Sequence, residues 1–274
     1  MAKTGGDYLG RASRWVQRHA DRAGIYFFAT REVVAIGRKS PQFQPELANR
    51  ALWRPFVIDD KWRAVYNSSI KTTQPELNDP ISKQCRFYST FQFAEHTAAS
   101  LPEGDVVECG CWHGQSAVAI ATLLQEHGFT GQFHVFDSFE GGLSDFTPED
   151  DGFFNLTEDQ KQEYLKAFAS SYHAVRSVTA PFGFVDLHKG WIPDVFAGFE
   201  PRPIRFVHVD VDMFDPTKAA LEFFWPQLVK GGVIVCDDYY SLFDGATKAV
   251  DEFLTGVEPS LVYRVPFGSI AIIK

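Results

Sequence analysis

Cysteine is scarce in this chain. Cys109, Cys111 and Cys236 fall in or beside expected buried strands and Cys85 just before an aromatic helix, and none has the spaced Cys or His partners of a structural zinc site. That argues against a disulfide framework or zinc knuckle and for reduced, packed thiols. Long hydrophobic runs are missing too: nothing approaches the roughly 20 apolar residues that cross a bilayer, and no signal-peptide core or cleavage site is evident. A cytoplasmic protein is expected. Positive charge is in deficit, with 26 Lys and Arg against 35 Asp and Glu and a net charge of −9. This balance argues against nucleic acid as the main partner. The exception is the start, where Lys3, Arg11, Arg14, Arg18, Arg22, Arg31, Arg38 and Lys39 face only Asp7, Asp21 and Glu32. An acidic partner, a membrane surface or a solvated helix face would each suit that segment, the last being commonest.

What is present fits one large domain with a modest N-terminal extension, since 274 residues bury a sizeable core. The 26 Phe point to an aromatic core or aromatic-walled cavities. The organising stretch is Asp105 to Ser116, DVVECGCWHGQS. It reads as a buried strand, a loop bracketed by Gly110 and Gly114, and a helix continuing through SAVAIATLL. Glycine lets a ligand approach the backbone, and the helix start offers free N–H groups, so the stretch has the form of a nucleotide-cofactor cradle. The third glycine of a dinucleotide fingerprint is absent, which disfavours an NAD oxidoreductase.

Around that stretch, residues 7–23 carry Leu9, Ala12, Trp15, Val16 and Ala20 at helical spacing. Residues 31–82 read as irregular, with Trp53, Trp62 and Tyr66 either packed on the main domain or lining an entrance. A helix is predicted over 87–101. Strands follow at 132–137, 183–188, 205–211 and in VIVCDD, the last entered through a turn at Lys230, Gly231 and Gly232. Helices are expected over 157–172, 216–229 and 246–253, and LVYRV and SIAIIK close the chain. Residues 138–156 have the acids and glycines of a mobile lid. Five βα repeats and a terminal strand pair predict a doubly wound, mostly parallel α/β sheet with an antiparallel edge.

In such sheets the ligand crevice lies beyond the carboxyl ends of the strands at a topological switch. That rule selects Glu108 to Gly114, Asp137, Asp210 to Asp212, and Asp237 with Asp238. Asp137 ends the second strand, where an acid can accept hydrogen bonds from ribose hydroxyls. Strands lie about 5 Å apart, so if the fourth and fifth are neighbours, Asp210, Asp212, Asp237 and Asp238 converge and need a cation or protons to offset their repulsion. Hard oxygen ligands suit Mg²⁺. His134 and His208 are expected buried and hydrogen-bonded within strands, while His113 and His188 are candidate bases.

Taken together and in order, VVECGCWHGQS, FDSFEGG, KGWIPD, HVDVDMFDPT and VIVCDDYYSLFDGATKAVDEF resemble the macrocin O-methyltransferase family, which methylates sugar hydroxyls of natural products. The resemblance covers roughly residues 87–274, leaving 1–86 as an N-terminal helical or irregular extension. It implies the class I, Rossmann-like S-adenosylmethionine-dependent methyltransferase fold with a seven-stranded sheet, a Mg²⁺ ion and a homodimer. By matching motif, Asp210, Asp237 and Asp238 would hold the metal. Glu108 and Gly110 would cradle the methionine part of the cofactor, with His113, Gly114 and Ser116 in the same loop, and Asp137 with Ser138 would meet the ribose. Asp212 is the expected base, with His188 behind it. The competing readings are a Mg- or Mn-dependent glycosyltransferase using HVDVD as a DxD motif and a scaffold protein on an inactive methyltransferase sheet. The first leaves the glycine cradle and the second acid pair without a role.

Overall fold

The computed structural model describes residues 59–77, 79–150, 156–240 and 243–274, and the backbone of 25–30 and 33–38. The helix expected over 7–23 and Trp53 lie outside the described residues. Two strands, β1 (Ile25–Thr30) and β2 (Val33–Arg38), pair antiparallel, the second within the stretch read as irregular. A helix, α1 (Asp60–Thr73), follows, started by the Asp59 carboxylate accepting the Trp62 N–H at 2.9 Å. Its buried residues Trp62, Val65, Tyr66 and Ser69 follow the i, i+3, i+4, i+7 spacing of one helix face. Trp62 stacks on Tyr66 with ring centroids 4.9 Å apart, and both are core residues. The next helix, α2 (Ile81–Ser100), starts six residues before the expected Phe87 and buries Phe87, Phe91 and Ala94. Cys85 therefore lies inside it, and a boundary at residue 86 falls within a helix.

The sheet contains β3 (Asp105–Cys109), β4 (Phe133–Asp137), β5 (Val185–Lys189), β6 (Ile204–Val209), β7 (Leu228–Cys236), β8 (Leu261–Val265) and β9 (Ser269–Ile273). Their order is β5-β4-β3-β6-β7-β9-β8. The first five run parallel, and β9 is antiparallel to both β7 and β8. Parallel strands covered on both faces read as continuous apolar runs, and β6 is buried along its whole length. Alternation divides the core. Val106, Phe206, Val233 and Val235 pack under α1, α2 and α3 (Gln115–Glu126), while Val107, Val207, Val209 and Ile234 pack against α6 (Phe214–Phe224) and α7 (Gly245–Thr255).

Other boundaries differ from expectation, among them the helix predicted over 216–229, which ends at Phe224. The helix predicted over 157–172 ends early as α4 (Glu158–Ala167), begun by a Thr157–Gln160 capping box, and a further helix, α5 (Tyr172–Thr179), begun by Ser171, follows it. The Lys230 to Gly232 turn lies inside β7, where pairing with β6 steps from Ile204–Leu228 to Phe206–Val233 across a bulge. Residues 138–150, read as a lid, are anchored: Phe139, Leu143 and Asp150 are buried. Asp150 ends a short 3₁₀ turn, Pro148–Asp150, and its carboxylate accepts the Phe214 N–H at 2.7 Å at the start of α6.

Candidate active site

Chain direction reverses about β3 and β6, which are neighbours, so their carboxyl ends form the switch point. The parallel ladder runs one residue past each strand. Gly110 N–H donates to the Phe136 carbonyl, Asp210 N–H to Cys109, and Asp237 N–H to Val209, each at 2.8 Å. The loop and the acids thus start from fixed positions. Gly110 has φ +85°, and a Cβ there would lie 1.9 Å from the Asp210 carbonyl oxygen, so only glycine lets the two strand ends come together. Gly114, at φ +84°, ends the loop and precedes α3.

Asp137 is buried at the end of β4. Its Oδ2 accepts the N–H groups of Cys111 at 2.8 Å and Trp112 at 3.0 Å, and its Oδ1 that of Phe139 at 2.7 Å. A carboxylate offers about four acceptor sites, so most of its capacity shapes the glycine loop and about one site is left for a ligand. Burial raises its pKa against the pull of those N–H groups. Ser138 is buried beside it, its hydroxyl donating to the Gly142 carbonyl at 2.5 Å. Glu108 lies beneath the loop, fully buried, with Oε1 2.9 Å from His208 Nδ1 and Oε2 without a partner. Burial raises the Glu108 carboxyl, and Glu108 raises His208 although burial opposes it, so a proton stays on the pair. Ser116 is buried in the first turn of α3. His113 packs on Trp112, and burial lowers its pKa.

Beyond β6 and β7, Asp210, Asp237 and Asp238 each bring one carboxylate oxygen within 4.8 Å of the others. Asp212, at φ 61°, turns back so that its N–H donates to Asp238 Oδ2 at 3.1 Å. Burial and then the Asp210 charge push the Asp212 carboxyl up to about 7. Burial, followed by Asp212 and Asp210, raises Asp238; Asp237 is raised by burial against the charge of Arg86. Asp237 Oδ1 is buried with no partner. An all-oxygen donor set with an orphaned buried oxygen fits a hard divalent cation. Asp210 and Asp212 also line a narrow cleft with Gly110, Asp137, Tyr164 and Phe168, so the acids and the glycine loop share one space.

The structure thus brings together Gly110, Asp137, Asp210, Asp212, Asp237 and Asp238. It leaves His188 elsewhere: its ring stacks on Phe136 at 4.4 Å and its Nε2 is 3.1 Å from His134 Nδ1, on the face packed by Phe199. The same alternation that buries Phe136 turns the neighbouring His188 away from the acids. His134 and His208 are buried and hydrogen-bonded as expected. Two contributors escaped sequence reasoning. Arg86 reaches the acids from α2, and Tyr164 of α4 lines the cleft with Asp212. A lone arginine in an aromatic helix is a signal for the first; the second had none.

Seven strands in this order, with the ligand cleft at the switch, define the class I methyltransferase fold. The chain belongs to the Macrocin-O-methyltransferase (TylF) family, whose model matches residues 70–258. It is 31% identical over 157 residues, 55% of this chain and 58% of the relative, to the 8-demethyl-8-(2,3-dimethoxy-alpha-L-rhamnosyl)-tetracenomycin-C 4'-O-methyltransferase of Streptomyces olivaceus. It is 25% identical over 167 residues, 59% of this chain and 62% of the relative, to the demethyldecarbamoylnovobiocin O-methyltransferase of Streptomyces niveus. The matches thus span about three fifths of those relatives' length. In fold it is similar to the O-methyltransferase NovP, with a TM-score of 0.60 and 21% identity over 71% of this chain and 80% of that one. It is also similar to the calicheamicin methyltransferase CalS11, with a TM-score of 0.54 and 18% identity over 86% of this chain and 98% of that one. Family membership sets aside the glycosyltransferase and NAD oxidoreductase readings.

Proposed function

We propose that the chain is an S-adenosylmethionine-dependent O-methyltransferase acting on a sugar hydroxyl of a glycosylated natural product, with Mg²⁺ held by Asp210, Asp237 and Asp238. The observation that carries the reading is the convergence of those carboxylates beside the glycine loop in a member of this family. Both relatives named above are O-methyltransferases of natural products, one of them on a rhamnosyl compound. A bound Mg²⁺ supplies Lewis acidity and a template for adjacent hydroxyls.

The chain's own residues do the rest. Gly110 and the loop shaped by Asp137 hold the methyl donor, and Asp210, half-buried between loop and acids, fixes the distance between donor and acceptor. Asp212 takes the acceptor proton as the hydroxyl oxygen bonds the methyl carbon and the sulfonium leaves as a neutral thioether. A carboxyl pushed up to about 7 is matched to general-base work near neutral pH, and its anchored N–H keeps it beside Asp238. Tyr164 holds its proton, because burial and then the Asp212 charge raise its pKa, and so orients Asp212 as a donor. A homodimer belongs to the same proposal and is read by light scattering.

The test is methyl transfer from radiolabelled S-adenosylmethionine to a panel of rhamnosylated and other glycosylated acceptors, with Mg²⁺ and with EDTA. Transfer that stops in EDTA and returns with Mg²⁺ supports the reading. Full turnover in EDTA removes the metal from it, and failure to bind S-adenosylhomocysteine in calorimetry removes the methyl donor.

A further inference from the structure

Arg86 is the one cation among the described residues within ion-pair distance of the acid cluster. It projects from an otherwise aromatic and polar stretch of α2, with its side chain only 18% exposed. Its Nη1 donates to the backbone carbonyl of Asp237 at 3.0 Å, its Nη2 stands 3.3 Å from Asp237 Oδ2, and Nη1 is 4.0 Å from Asp238 Oδ1. Asp237 is therefore gripped at its carbonyl and at one carboxylate oxygen while the other, Oδ1, is buried without a partner. The guanidinium is a rigid fork that stays charged at any working pH, so its charge beside Asp237 does not depend on pH. Four carboxylates, Asp210, Asp212, Asp237 and Asp238, are gathered here, and a divalent ion balances two of them. Arg86 balances a third.

Resting on the metal reading above, we propose that Arg86 is the built-in counter-ion and positioning residue of the Asp210, Asp237 and Asp238 site. It holds Asp237 through Oδ2 and the carbonyl so that Oδ1 is left for the ion, and it offsets the acids' repulsion before an ion arrives. The two duties have opposite consequences for the ion. The same positive charge that stabilises the ion-free fold repels an incoming cation, so Arg86 weakens metal binding while it prevents the site from bursting open without metal. By linkage these are one statement: a group that stabilises the free form more than the bound form lowers affinity. The outcome is a site that exchanges its ion readily and does not need it to fold.

Mn²⁺, as a probe for Mg²⁺, tests this through calorimetric binding and melting of the full chain, without any turnover measurement. Arg86→Met keeps much of the side chain's length and removes its charge; Arg86→Lys keeps the charge. Arg86→Met should melt below wild type in EDTA, bind Mn²⁺ about tenfold more tightly, and recover most of the melting gap at saturating Mn²⁺. Arg86→Lys, which keeps the charge and loses the fork, should bind Mn²⁺ close to wild type and melt between wild type and Arg86→Met in EDTA. If Arg86→Met folds only with metal present, it is purified in Mn²⁺ and melted as the ion is diluted, and the expected steepening of melting temperature with Mn²⁺ is read there. Unchanged or weaker Mn²⁺ binding by Arg86→Met, or a melting gap equal with and without Mn²⁺, overturns the proposal, since either means Arg86 only packs. Arg86→Lys binding Mn²⁺ as tightly as Arg86→Met overturns it as well. Should wild type itself bind no Mn²⁺, the metal reading falls first and this one with it.

Discussion

At Asp137 and Asp212 the same side chain can be read for two purposes, and geometry decides between them. Asp137 is legible in sequence as a strand-end acid, and that led to its assignment to the ribose. What the sequence cannot display is the return of the loop, which brings the N–H groups of Cys111, Trp112 and Phe139 onto its carboxylate. Asp137→Asn leaves one acceptor oxygen and turns an NH₂ toward those donors. It should destabilise the fold by about 1–3 kcal/mol, the cost of unpaired buried donors, and weaken S-adenosylhomocysteine binding in calorimetry. A variant that keeps stability and loses only affinity would return Asp137 to a purely ligand-binding role. For Asp212, the backbone N–H bond to Asp238 is untouched by a change of side chain. Asp212→Asn should therefore lower kcat by roughly 10²- to 10⁴-fold with donor binding preserved. A loss of binding equal to the loss of rate would make Asp212 structural. Arg86 went unread because the helix was started one residue after it, at Phe87.

Among the elements, the strands were legible and their surroundings less so. The central parallel strands β3, β4 and β6 are short, mostly apolar runs bounded by turns, which length and β-branched or aromatic content identify. That β9 rather than β8 pairs with β7 was hidden, because an apolar strand does not name its neighbour. The break between α4 and α5 was hidden as well, although Ser171 is a ready cap. The reading of residues 138–156 as a lid missed Asp150, whose carboxylate serves α6 across 64 residues of sequence. Asp150→Ala removes that bond and those to Thr147. A lost cap costs about 1 kcal/mol, so melting should fall by roughly 2–4 °C. The β4–β5 side of the sheet carries a pH dependence of its own. His134 bonds Asp105 and His188, with Arg202 and Asp186 nearby, and burial foremost lowers both histidines. Folded histidines with depressed pKa bind fewer protons than unfolded ones, so their contribution is present above the ordinary value of about 6.5 and is lost as pH falls below it. Between pH 7.5 and 5.5 the melting temperature of His188→Gln should fall less than that of wild type; an equal fall would place the dependence elsewhere.

For the molecule as a whole, the doubly wound sheet fixes where chemistry happens before any side chain is chosen. β3 and β6 run side by side while their connections leave in opposite directions, so only there do two loops part and leave a cleft. The cleft is small, about 40 Å³, and is lined by Tyr164 and Leu165 of α4, by Phe168 just after it, and by Leu143 of the anchored loop, together with Gly110 and Asp210. Pockets that bury a drug-sized ligand run to about 300–1,000 Å³, so this cleft is narrower than a nucleoside donor needs. The central strands β3, β4 and β6 are buried on both faces and resist displacement. The covering helix can yield, since it is held by aromatic contacts such as Tyr164 to Phe243. The expected outcome is that donor binding displaces α4. Hydrogen exchange reads this directly: amides across Glu158–Ala167 should exchange faster than those of β3 and β6 in the free protein and slow on saturation with S-adenosylhomocysteine. Protection confined to Gly110 to Gly114, with α4 unchanged, would mean that side chains alone rearrange to admit the donor.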